Sequence, residues 1–168
     1  MKINKPLDIF VKCENYPDTL LGEYSSYQNM KEAIIGYLIG KARFGEKTTY
    51  LRIFADLNIP MKIDSESHHD YMFNILSEID GEQCAKKLPL LSCLVGSKTN
   101  AYLGGSVFMR LMDIPEFNEG HLFDKNDKIS QAMFWGVHIA KCWRYYAGKQ
   151  KKYEEKETIY AKLDKKKK

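Results

Sequence analysis

The chain has 168 residues, 44% of them hydrophobic and 29% charged, with a formal net charge of +4. That length suits one buried core and excludes two comfortable domains, and the composition excludes a disordered chain. No apolar stretch approaches the roughly 20 residues that span a bilayer. Met1–Pro6 lacks a following apolar segment, so no secretory signal is expected and the expected location is the cytoplasm.

The charge is unevenly placed. Residues 149–168 carry nine lysines against Glu154, Glu155, Glu157 and Asp164, which leaves the other 148 residues at −1. The expected organisation is therefore a folded domain over 1–148 and a lysine-rich tail over 149–168, either an extended helix end or a mobile segment. Cys13, Cys84, Cys93 and Cys142 are widely spaced, without a C-x-x-C pair, and read as reduced thiols and not as a zinc site.

In chain order, Leu7–Val11 reads as a short strand and Glu14–Ser26 as loop. Met30, Ala33, Ile34, Tyr37 and Leu38 recur at helical spacing and predict a helix ending near Arg43. Thr48 is placed to cap a second helix with the stripe Tyr50, Ile53, Phe54 and Leu57, stopped by Asn58-Ile59-Pro60. Asp64, Ser65 or Ser67 caps a third, with Met72, Ile75, Leu76 and Ile79 inward. Two short helices joined by a turn form a helix-turn-helix.

The period then changes. Leu88–Val95 reads as a strand, Gly96–Asn100 as a loop, and the region around Tyr102 as a return strand, together a hairpin or wing. Ser106–Met112 predicts a short helix and Asp127–Ala147 a longer one, with Ile129, Met133, Gly136, Val137, Ala140 and Trp143 inward. The expected fold class is α+β, mostly α: a winged helix-turn-helix with added N- and C-terminal helices and a small β-hairpin.

Two stretches, Gly45–Ala55 and Leu88–Ser97 with Tyr102-Leu103-Gly104-Gly105, resemble the DNA-binding domain of the O6-alkylguanine-DNA alkyltransferase and alkyltransferase-like family. The resemblance spans about 65 residues. It implies a winged-helix fold and duplex DNA as partner. The family's Pro-Cys-His-Arg motif is replaced by Pro89-Leu90-Leu91-Ser92, so alkyl transfer is excluded on this alignment. The DNA-inserting arginine that alkyltransferase-like proteins keep has no counterpart in Ser65–Tyr71. The Pro-Leu-Leu-Ser strand, Gly-rich turn and late aromatic helix are also similar to uncharacterised small bacterial and phage-associated proteins.

The expected DNA contacts are Ser67, His68, Tyr71 and Asn74 on the third helix, opposite its apolar stripe, although Asp64, Glu66 and Asp70 there oppose phosphate. Lys86, Lys87, Lys98, Asn100, Tyr102 and Arg110 form the phosphate-facing wing side, with Gly104-Gly105 as a turn able to hold an anion. Phe134, Trp135, Trp143, Tyr145 and Tyr146 lie at too many angles to hide on one helix face and are expected at a protein interface or homodimer contact.

His68 and His69 with nearby carboxylates give the one candidate for a small enzyme, but adjacent helical positions diverge by about 100°. Asp124–Asp127 fails as a calcium loop because Trp135 stands where a bidentate Glu is required. No nucleotide, hydrolase or dehydrogenase motif occurs. Expected are no catalytic residues, no metal and no cofactor, hence non-enzymatic DNA binding. The alternatives are an accessory protein-binding subunit, as in a bacterial or phage conflict system, and the small enzyme.

Overall fold

The structure, a computed structural model, describes residues 9–62, 64–96 and 104–165, with side chains through Gly148. It is mostly helical: α1 (Tyr27–Arg43), β1 (Thr48–Thr49), α2 (Tyr50–Asp56), α3 (Glu66–Ala85), β2 (Val95–Gly96), α4 (Ser106–Met109) and α5 (Lys128–Lys165). No helix among the described residues is long and apolar enough to cross a membrane.

The first three helices form where the periodicity places them. Ser26 caps α1 by accepting from the Asn29 N–H, and Met30, Ile34, Leu38 and Ala42 are buried. Thr49, not Thr48, caps α2, accepting from Arg52 N. Ser65 stands at the N-cap position of α3 without the expected side-chain cap, its hydroxyl bonding that of Ser67, and Met72, Ile75, Leu76 and Ile79 of that helix are fully buried. Each such side chain contributes about 1.5–3 kcal/mol of burial.

All three helices end in one motif. A left-handed residue, Gly45 (φ 66°), Asn58 (φ 53°) or Lys87 (φ 55°), turns the chain. The next N–H then returns to a carbonyl of the last turn: Glu46 to Lys41, Ile59 to Phe54 and Leu88 to Gln83, each 2.9 Å. Such closure satisfies otherwise orphaned carbonyls and favours glycine at its pivot.

β1 and β2 pair in parallel, Thr48 opposite Val95 and Thr49 opposite Gly96, and Gly96 also bridges antiparallel to Gly104. Residues 97–103, which include the expected loop and return strand, lie outside the described residues. Leu88–Val95 is not the expected strand. Ser92–Leu94 is a 3-10 turn, because Asp80 of α3 accepts from Ser92 N at 3.1 Å and also binds the Ser92 hydroxyl. No strand forms at Ile9–Val11 either. That segment crosses α3, with Val11 N–H donating to Ser77 Oγ and Cys13 N–H to Glu78 Oε2, both at 2.9 Å.

α5 packs against α1 and runs unbroken past Gly148 to Lys165, the helical alternative for the tail's start. Its inward face is not the expected one. Phe134, His138, Ile139, Cys142 and Tyr146 are buried, whereas Ile129 is 70% and Met133 55% exposed. The aromatic stripe wins the core: Phe134 stacks on Phe108 with ring centroids 5.1 Å apart, and Tyr146 accepts from the Gln83 amide. All four cysteines are unbridged.

Candidate nucleic-acid interface

The residues expected to read DNA divide into three groups. On α3, Glu66, Ser67, His69 and Asp70 are exposed and Asn74 is half-buried. His68 is turned to the preceding loop, where its Nδ1 accepts from Lys62 N at 2.8 Å, and Tyr71 sits edge-on to Tyr16 at 5.4 Å. These two side chains hold the entry to α3. Of the outward set, Ser67 and Asn74 remain, with Lys62 as the neighbouring cation.

Lys86 and Lys87 are exposed at the other end of α3. Nineteen residues separate Ser67 from Lys86, about 29 Å along the helix axis. The two groups therefore lie at opposite ends of one rod and not in one patch. Lys87 instead lines a cleft of about 230 Å³ with Leu88, Phe117, Glu119 and His138.

Arg110 is removed from the phosphate-facing set. Its Nη2 donates to Ser77 Oγ at 2.7 Å, its Nε donates to Val107 O, and the guanidinium lies over the Phe73 ring. Burial lowers its pKa. The arginine ties α4 to α3. Lys98, Asn100 and Tyr102 lie outside the described residues.

Gly104 and Gly105 are required by packing. A Cβ on Gly104 would meet Phe108 Cδ1 at 2.5 Å, and one on Gly105 would meet Tyr50 Oη at 2.7 Å. Behind them Asp80 is wholly buried. Burial raises its carboxyl to about 6 against the lowering effects of the Ser92 hydroxyl, the Ser92 and Leu91 N–H groups, and Arg110. This network holds α3 to the turn that leads into β2.

The aromatics expected at an interface all make contacts within the chain. Phe134 and Tyr146 are core residues. Half-buried Trp135 donates its Nε1–H to Cys93 O at 2.9 Å beneath the Lys47 ammonium, Trp143 donates to Glu46 O at 3.2 Å, and Tyr145 packs edge-on to Tyr146. Phe134 and Tyr146 are thus core and not the interface residues expected, whereas Trp135, Trp143 and Tyr145 keep part of their surface exposed; indole N–H groups met by backbone carbonyls remove the cost of burying the rest.

His68 and His69 do not form a shared site: the first faces Lys62, and the second lies 5.4 Å from the Tyr50 ring. Among the described residues no three His, Cys, Asp or Glu side chains gather as metal ligands.

Comparison with family models, curated proteins and solved structures finds no match.

Proposed function

We propose that the protein is a non-enzymatic duplex-DNA-binding module of winged helix-turn-helix type. The observation that carries this reading is the order α1–β1–α2–α3–β2, followed by the Gly96–Gly104 bridge, combined with the two-sided character of α3. One side of α3 is core; its amino-terminal half presents Ser67, His69 and Asp70 to solvent. A helix held from behind by a partner helix, with polar residues leading, is what a major groove accepts.

Ser67 and Asn74 are assigned to base edges. Lys62 is assigned to phosphate beside them, and Lys86 and Lys87, about 29 Å away at the far end of α3, to a separate backbone contact on the same duplex, with the lysine-rich end of α5. Asp64, Glu66 and Asp70 oppose the backbone charge, so affinity depends on those lysines and falls steeply with salt. Hydrogen-exchange mass spectrometry of the full chain, with and without a 20-base-pair duplex as the probe on the order of two helical turns long, tests the docking face. Protection at residues 66–74 is expected. Protection confined to other segments, or none, refutes this assignment.

The exposed apolar residues of α5 favour a second reading, an accessory subunit that docks on another protein. It predicts that Met133→Glu abolishes function while leaving DNA affinity unchanged.

A further inference from the structure

The cleft of about 230 Å³ opens between the end of α3, the Pro115–Phe117 turn and α5, and its wall is Leu88, Pro89, Leu90 and Phe117. The backbone of that wall bonds inward. Leu88 N–H donates to Gln83 O, Pro89 O accepts from Gln83 Nε2, Leu90 O accepts from the Cys93 thiol, and Phe117 O accepts from His138. Burial lowers the pKa of His138, so its ring adds no charge here at neutral pH.

Four charged side chains ring this apolar wall. Glu119 and Lys141 pair with each other at 2.5 Å. Lys87 and Glu116 are exposed and, among the described residues, have no ion pair or side-chain hydrogen bond, with each other or with any neighbour. The cleft therefore offers one uncommitted ammonium and one uncommitted carboxylate.

The backbone marks the same place. Of the four described non-glycine residues at positive φ, two are asparagines, Asn15 and Asn58, a type that tolerates this region. The other two, Lys87 (φ 55°) and Glu119 (φ 52°), both line this cleft. Such strain gathers where a site holds a ligand and the surrounding structure enforces it.

We propose that this cleft binds a free aliphatic α-amino acid, its carboxylate on Lys87, its ammonium on Glu116 and its side chain against Leu88, Pro89, Leu90 and Phe117. Opposite charges over an apolar wall complement a zwitterion with an apolar body. A simple carboxylate or amine leaves one of the two protein charges without a partner. The volume lies below the roughly 300–1,000 Å³ of drug-sized sites, which restricts the ligand to a small metabolite. Binding of the amino acid does not rest on the duplex-DNA reading, although both use Lys87, and it is tested without DNA.

Isothermal titration calorimetry of the full chain with L-leucine at neutral pH is the test. Saturable binding with a Kd of about 1 mM or tighter is expected. Isocaproate, which lacks the ammonium, isoamylamine, which lacks the carboxylate, and glycine, which lacks the side chain, are each expected to bind about ten-fold more weakly or worse. Lys87→Gln and Glu116→Gln, with unchanged circular dichroism spectra, are expected to weaken L-leucine binding by a similar factor. Cys84 is the half-buried thiol at the cleft, while Cys13, Cys93 and Cys142 are buried, so saturating L-leucine is expected to slow alkylation of Cys84. Absence of saturable binding overturns the proposal. So does equal binding of isocaproate, isoamylamine or glycine, indifference to either variant, or alkylation of Cys84 that L-leucine leaves unchanged.

Discussion

Lys31 Nζ lies 2.8 Å from Glu78 Oε1, with only 4% of the lysine side chain and 16% of the glutamate exposed. Glu82 meets the same ammonium, while Tyr27 Oη and Cys13 N–H donate to the other Glu78 oxygen. One lysine on α1 thereby bridges two carboxylates of α3, and one of them anchors the N-terminal segment. Burial pushes the Glu78 carboxyl up, but Lys31 and the two donors outweigh it and hold the group below its ordinary range. Its stabilisation is present at neutral pH and lost as acid approaches that lowered value.

Lys31→Ala is predicted to cost about 3 kcal/mol, because it strands a mostly buried carboxylate. Glu82→Gln is predicted to cost less than about 1 kcal/mol, since that partner is substantially exposed. Urea denaturation at pH 7 checks both. Near-equal losses would contradict the central place given to Glu78.

Lys87 occupies the left-handed pivot that ends α3 and is exposed. Lys87→Gly is predicted to stabilise the fold by about 1 kcal/mol, by relieving the backbone. The same variant is predicted to weaken DNA binding by removing a cation. A rise in thermal midpoint with undiminished affinity would make the lysine structurally costly and functionally idle.

Asp80 is protonated more readily in the fold than in the unfolded chain, so the native state holds the extra proton between about pH 4 and 6. Its contribution to stability falls as pH rises through that window and then levels. Asp80→Asn keeps an acceptor for Ser92 N–H and is predicted to remove this fall. Asp80→Ala leaves that N–H unpaired in the core and is predicted to cost about 2–3 kcal/mol. Urea midpoints at pH 4.5 and 7 for the wild type and both variants decide the matter.

His138 runs the opposite way. Burial lowers its pKa, against the raising effect of the Phe117 carbonyl, to which Nε2 donates at 2.7 Å. The neutral ring's contribution is complete above the ordinary histidine range near 6.5 and is lost as pH falls toward the lowered value. His138→Gln is predicted to flatten stability below pH 6.5 relative to wild type. An unchanged slope would show that the ring charges without penalty.

The helices α1, α2 and α3 were legible because each carries one apolar stripe and a short polar stop. Met30, Ile53 and Ile75 could face only inward. α5 was not, since it carries two stripes about 100° apart, and only packing against Phe108 and α1 decides between Phe134 and Met133. The Leu88–Val95 run looked like a strand because its capture by Asp80, twelve residues before Ser92, leaves no local pattern. The candidate interface was half legible. Ser67 is exposed as its position opposite Met72 and Leu76 requires, but Arg110 is drawn inward by Ser77 and Phe73, a long-range contact that composition does not reveal.

Fluorescence anisotropy of a labelled duplex, titrated with the full chain at several salt concentrations, tests the DNA-binding claim most directly. The wild type is predicted to bind with affinity that falls steeply as salt rises. Asn74→Asp is predicted to weaken binding on α3 itself, and Lys86→Glu with Lys87→Glu to reduce the salt slope by about two. No binding at low salt, or binding indifferent to all three substitutions, would contradict the account.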